Sequence, residues 1–176
     1  GWGVCGWEES GADDTQPFHL LARPAVVEIV GEQWLQRLDQ HNRDDDADYP
    51  AVFAQFKEQV RGKDGIVFVT PEQNRSVPAL LKNALDAGSR PYGHGAWNGI
   101  PAAIIGTSPG GPATAMAQQH LRNVISYLNM PQFGQPEMFI QWKEGLVKDG
   151  AIGPDSKDFV QKYVDTFAAW VKKQVG

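Results

Sequence analysis

Gly65-Ile66-Val67-Phe68-Val69-Thr70 is a short apolar run rich in β-branched and aromatic side chains, and it passes directly into the polar stretch Pro71-Glu72-Gln73-Asn74-Arg75-Ser76. A run of this length without polar alternation predicts a strand buried on both faces, and such strands belong to parallel sheets. Leu80, Leu81, Ala84 and Leu85 then recur at helical spacing, with a helix end expected near Gly88. The unit repeats in kind. Pro101-Ala102-Ala103-Ile104-Ile105-Gly106 predicts a second buried strand, and Thr107-Ser108-Pro109-Gly110-Gly111-Pro112 a loop. Ala113, Met116, Ala117, His120, Leu121, Val124 and Leu128 then mark one face of a long helix.

The same alternation extends in both directions. Upstream, Pro50 opens a helix whose apolar face is Val52, Phe53, Phe56 and Val60, and Val26-Val27-Glu28-Ile29-Val30 has strand character. Downstream, Met138-Phe139-Ile140 reads as a shorter strand. A closing amphipathic helix runs through Phe159, Val160, Tyr163, Val164, Phe167, Trp170 and Val171. Strands alternating with helices predict an α/β fold, a parallel sheet covered on both sides. The chain has 176 residues, 41% of them hydrophobic and 21% charged, which is the size and composition of one globular domain, 1–176.

Charge and cysteine content narrow the function classes. The net charge is −5, and it is uneven: residues 1–48 hold eleven acids against three bases. The remainder is mildly basic without a basic stripe, so nucleic acid is not an expected partner. No run of 18 apolar residues occurs, so no membrane span is expected. The lone Cys5 allows no disulfide within the chain, and the first basic residue is Arg23, so a cytoplasmic location is expected. Asp44, Asp45, Asp46 and Asp48 read as a solvated loop before a helix. His19, His41, His94 and His120 share no metal-ligand spacing, so no metal site is expected.

The two strand–loop–helix corners are the candidate site. In an open parallel sheet, ligands bind beyond the carboxyl ends of the strands. Each loop leads into a helix N-terminus with unpaired N–H groups. The second loop is built of small residues and proline, which lets backbone approach a flat ligand. The first offers Glu72, Asn74, Arg75 and Ser76 as donors and acceptors for the polar edge of a heteroaromatic ring. Neither loop is a G-x-G-x-x-G or a P-loop. A flat electron-accepting ring between two such loops is a physical description of a flavin site; two ordinary connections are the plainer alternative.

Thr70-Pro71-Glu72-Gln73-Asn74-Arg75-Ser76-Val77-Pro78, followed by Leu81-Lys82-Asn83-Ala84-Leu85-Asp86 and Ser89-Arg90-Pro91-Tyr92-Gly93, resembles the NADPH-dependent FMN reductase family, in particular its quinone and chromate reductase branch. That family's signature reads T-P-E-Y-N-x-S-x-P-x-x-x-K-N-A-x-D-W. Pro101 to Gly110, Ala117-Gln118-Gln119-His120-Leu121-Arg122 and Pro136-Glu137 are similar to later family motifs, and the resemblance covers about residues 42–176. It implies a flavodoxin-like three-layer sandwich with five parallel strands and noncovalently bound FMN. It also implies NADPH or NADH as co-substrate and a small-molecule electron acceptor: a quinone, a flavin, an azo dye or chromate. Pro71, Glu72, Gln73, Asn74, Arg75 and Ser76 would line one side of the flavin and Thr107, Ser108, Pro109 and Gly110 the other. Arg90 would lie near the nicotinamide or acceptor. No catalytic acid, base or nucleophile is implied, because the flavin carries the redox step. Family members are dimers or tetramers, so a homo-oligomer is expected.

The departures are specific. The signature tyrosine is Gln73 here and the signature tryptophan is Ala87. The family's phosphate loop, G-S-L-R-x-x-S-x-N, has as its nearest counterpart Cys5-Gly6-Trp7-Glu8-Glu9-Ser10-Gly11, whose two carboxylates would repel a phosphate. The pattern is lost abruptly before Asn42, so residues 1–43 are expected to be altered relative to the family. A flavodoxin-like binding or scaffold protein with weak or lost FMN binding is the alternative function.

Overall fold

The computed structural model describes residues 49, 51–148 and 151–176 in full and the backbone of 19–22 and 25–30. Pro50, the acidic run from Asp44 to Asp48, His41 and the Cys5–Gly11 stretch lie outside the described residues. The elements are β1 (His19–Ala22), β2 (Ala25–Val30), α1 (Ala51–Arg61), β3 (Gly65–Thr70), α2 (Ala79–Gly88), β4 (Ala102–Ser108), α3 (Ala115–Tyr127), β5 (Met138–Gln141), β6 (Val147–Lys148), β7 (Ala151–Ile152) and α4 (Pro154–Val175).

β1 to β5 form one sheet in sequential order, and β6 pairs with β7 in a separate small ribbon. β2, β3, β4 and β5 run parallel, with Ile29 beside Val67, Val67 beside Ala103, and Ile105 beside Met138. The expectation of five parallel strands is corrected at the edge, where β1 is antiparallel to β2 and His19 lies opposite Glu28. Chain length explains this. Ala22 and Ala25 are separated by two residues, which permits a hairpin, whereas a parallel crossover needs a dozen or more.

The apolar runs of β3 and β4 divide their side chains between two cores. Ile66, Phe68, Ala102 and Ile104 pack with Phe53, Phe56 and Val60 of α1, Leu81 and Leu85 of α2, and Leu121 and Ile125 of α3. Val67, Ala103 and Met138 face the other way, against Val160, Tyr163, Val164, Phe167 and Val171 of α4. Successive strand residues point to opposite faces, so a strand covered by helices on both sides must be apolar throughout. The result is a three-layer α/β sandwich.

Trp97 anchors the first core. Its indole lies 5.8 Å from the Phe56 ring and 6.0 Å from that of Phe68. Its Nε1–H donates to the Leu85 carbonyl at 2.9 Å, so the buried polar end is satisfied. A Cβ on Gly88 would sit 2.6 Å from this indole, so the glycine at the end of α2 makes room for Trp97. In the second core Phe133 meets Tyr163 edge-on at 5.7 Å and Phe167 at 5.5 Å. α4 carries Pro154 at its start, Asp155 in its first turn and Lys172 and Lys173 in its last, each placed to suit the helix dipole.

Tyr163 donates its hydroxyl to the Ile104 carbonyl at 2.8 Å. Burial pushes this phenol up from 10.0 to about 12, against the opposing influence of the Arg122 guanidinium. The phenol stays neutral in the folded chain while the unfolded chain ionises, so its stabilisation is complete below pH 10 and is lost as pH rises toward 12. Urea unfolding between pH 9 and about pH 12 is expected to show a loss of roughly 2–3 kcal/mol that Tyr163→Phe removes. An identical pH slope in the variant would contradict it.

Candidate functional site

Two loops meet at the carboxyl ends of β3 and β4. In the first, Gln73 and Ser76 exchange N–H···O bonds at 2.9 Å in both directions, closing a two-residue turn over Asn74 and Arg75. Asn74 has φ 50° and Arg75 φ 65°, which is the left-handed pair such a tight hairpin requires. Asn tolerates that region, while Arg carries a penalty of about 1–2 kcal/mol there. The Arg75 Nη1 to Glu72 Oε1 pair at 3.4 Å offsets little of this, because the arginine side chain is 67% exposed.

The Glu72 carboxylate turns inward, and its side chain is only 8% exposed. Its Oε2 accepts from the Met116 and Ala117 backbone N–H groups, both at 3.1 Å. These N–H groups open α3, and Thr114 at that helix's N-cap makes no side-chain cap of its own. Glu72 therefore supplies the missing cap from 44 residues away, with a charge that suits the helix dipole. One turn further along α3, His120 Nδ1 and Ser76 Oγ are 3.1 Å apart. Glu72 and Ser76, read from sequence as flavin contacts, thus both reach α3.

The second loop starts later than its sequence pattern indicates. β4 continues through Thr107 and Ser108, and only Pro109 and Gly110 lie beyond it. The Trp142 N–H donates to the Ser108 carbonyl at 2.9 Å and Gln141 Nε2 to that of Pro109 at 3.3 Å, which holds the loop against β5. Ala113 turns the chain into α3 with φ 51°. Thr107 Oγ1 is buried and has no hydrogen-bond partner among the described residues. A buried hydroxyl without a partner costs free energy on the order of 1–3 kcal/mol. Arg122, two residues beyond His120, pairs with Glu137 at 3.6 Å within the chain.

The structure does not bring Arg90 to these loops. Arg90 follows α2, whose ten residues carry the chain about 15 Å back toward the amino ends of the strands. Neighbouring bonds fix that end: Ile66 N–H donates to the Pro101 carbonyl at 2.9 Å, and Ala96 N–H to that of Gly88 at 2.8 Å. Lys57 Nζ donates to the Arg90 carbonyl, and Arg61 Nη2 to that of His94 at 2.8 Å. His120 is the neighbour that sequence reasoning did not place here. Its position one turn after Met116 and Ala117, on the helix that leaves the second loop, is the signal that locates it. An open groove of about 590 Å³ on the outer face of α4, lined by Asp158, Gln161, Lys162, Asp165, Thr166 and Ala169, belongs to a different part of the surface.

Gly106 lets the two corners approach. A Cβ there would collide with the Thr70 backbone carbonyl oxygen and lie 2.8 Å from Thr114 Oγ1. Gly106→Ala is expected to destabilise the chain by about 1–3 kcal/mol, read as a lower urea midpoint at unchanged slope. An unshifted midpoint would refute this packing account.

Comparison with known proteins agrees with this architecture. A model of the NADPH-dependent FMN reductase family matches residues 18–144. A 2-hydroxy-1,4-benzoquinone reductase from Burkholderia sp is 46% identical over 134 residues, which is 75% of this chain and 73% of that protein. A quinone reductase from Pseudomonas putida is 42% identical over 134 residues, 75% of this chain and 72% of its own length. The solved structure of FerB, a flavoenzyme NAD(P)H:(acceptor) oxidoreductase from Paracoccus denitrificans, superposes with a TM-score of 0.74 at 38% identity, covering 80% of this chain and 78% of that one. The chain belongs to the NADPH-dependent FMN reductase family: it is an FMN-dependent, NAD(P)H-using reductase on a flavodoxin-like α/β fold.

Proposed function

We propose that the chain is a quinone reductase whose flavin lies between the 71–76 turn and the 107–110 segment. The reaction is NAD(P)H plus a proton plus a quinone, giving NAD(P)+ and the hydroquinone. FMN, when bound, would supply the two-electron hydride chemistry between nicotinamide and acceptor. The chain's own groups orient and shield. Thr107 Oγ1, buried and without a partner among the described residues, is the observation that carries this proposal. It would hydrogen-bond the polar edge of the ring. Pro71, Gln73, Asn74 and Arg75 would form one wall, mostly through backbone, since the Gln73–Ser76 turn fixes its own geometry. Ser108, Pro109 and Gly110 would form the other. Arg90, beyond the far end of α2, is left out of this proposal.

The names of the relatives support the choice of acceptor: two proteins above 40% identity are quinone reductases, one of them for 2-hydroxy-1,4-benzoquinone. Flavins, azo dyes and chromate rank behind quinones for that reason. We further propose a homo-oligomer, since Tyr92 and Tyr127 are 83% and 85% exposed in the single chain and aromatic side chains of this kind anchor interfaces. A cytoplasmic location fits the single Cys5.

Stopped-flow and steady-state assays test the proposal. FMN-loaded protein is expected to bleach near 450 nm on adding NADPH without acceptor. It should then oxidise NADPH in a one-to-one ratio with added 2-hydroxy-1,4-benzoquinone. A protein that stays colourless with FMN, or one that bleaches yet leaves the quinone untouched, would overturn it.

A further inference from the structure

We infer that Glu72 is a positioning residue, which sets the separation of the two flavin loops by capping α3, and that Ser76 reinforces it. The inference rests on the flavin site proposed above, and it reassigns two residues of the signature stretch from contact to construction.

Loop position is the core of the argument. The first loop leaves β3 and enters α2; the second leaves β4 and enters α3. Nothing in the sheet ladder fixes how far apart two such loops stand once the strands end at Thr70 and Ser108. Glu72 crosses that gap. Its Oε2 holds the Met116 and Ala117 N–H groups at 3.1 Å each, from a side chain that is nearly buried. Ser76 crosses it again one helical turn later, through the 3.1 Å contact with His120. Two ties, a turn apart along one helix, fix both distance and tilt. The tight turn between them brings Ser76 back beside Gln73, the residue that follows Glu72, because Gln73 and Ser76 exchange both backbone bonds.

The same geometry limits what α3 does for the cofactor. An uncapped helix N-terminus attracts anions. Here a carboxylate already occupies the first-turn N–H groups of α3, so this terminus is not available to a phosphate. Charge-assisted bonds of this type are stronger than neutral ones, so a neutral carboxamide at position 72 should hold the loops less firmly but in the same place.

The experiment compares Glu72→Ala, Glu72→Gln and Thr107→Val with the parent chain in two measurements. The first is amide hydrogen exchange at Met116 and Ala117 in flavin-free protein. The second is FMN affinity from quenching of flavin fluorescence. Glu72→Ala is expected to speed exchange at both amides by about tenfold or more and to weaken FMN by about fivefold or more. Glu72→Gln should move both in the same direction by smaller factors, and it keeps the test available if the alanine variant does not fold. Thr107→Val should weaken FMN while leaving exchange at the two amides unchanged. Weaker FMN binding with unchanged exchange in the Glu72 variants would make Glu72 a direct flavin contact and overturn the inference. Faster exchange with unchanged FMN affinity, while Thr107→Val still weakens FMN, would reduce Glu72 to a helix cap and overturn it too. If none of the three variants alters FMN affinity, the flavin site itself is wrong and the inference falls with it.

Discussion

Burial of β3 and β4 on both faces is the constraint from which the rest follows. Phe68 and Val67 are adjacent in sequence and sit in opposite cores, each at most 2% exposed. A strand with no wet face can be completed only by helices above and below, and parallel neighbours then need crossovers that bring each loop to the same end of the sheet. The 71–76 turn and the 107–110 segment are therefore neighbours by construction. Residues about thirty-five positions apart are delivered to one edge without any direct contact between them in sequence.

What the sheet delivers, side chains then gauge. Gly106 removes a Cβ where Thr70 and Thr114 press in, and Glu72 ties the first loop to the helix leaving the second. The left-handed Asn74 and Arg75 carry local strain at the tip of the first loop. Strain of this kind persists only where surrounding structure over-determines it, and the paired Gln73–Ser76 bonds together with the Glu72 cap provide that surrounding. A site built in this way presents backbone atoms at fixed spacing, which suits a flat cofactor that does the chemistry itself.

Much of this was legible in the residues. The apolar runs of β3 and β4, the helical faces around Leu81 and Leu121, and the long closing helix each follow from a single local periodicity. The antiparallel β1 was not, since strand direction depends on pairing and only the two-residue gap after Ala22 gives it away. Arg90 stands near the signature in sequence, whereas a ten-residue helix separates it from the two loops in space. The Glu72 bond to the start of α3 was not legible, because a contact made across 44 residues leaves no local trace. Gly88 ends α2 where its sequence indicates, and it also leaves room for the Trp97 indole, which no local pattern reveals.

The central claim is that the flavin occupies the corner shared by β3 and β4. Backbone amide chemical shifts followed during titration of the chain with FMN address it most directly. The account predicts the largest changes at residues 71–76 and 106–113, with the amides at 88–96 and along the outer face of α4 unmoved. Changes concentrated near Arg90, or along the groove beside Lys162 and Asp165, would contradict it.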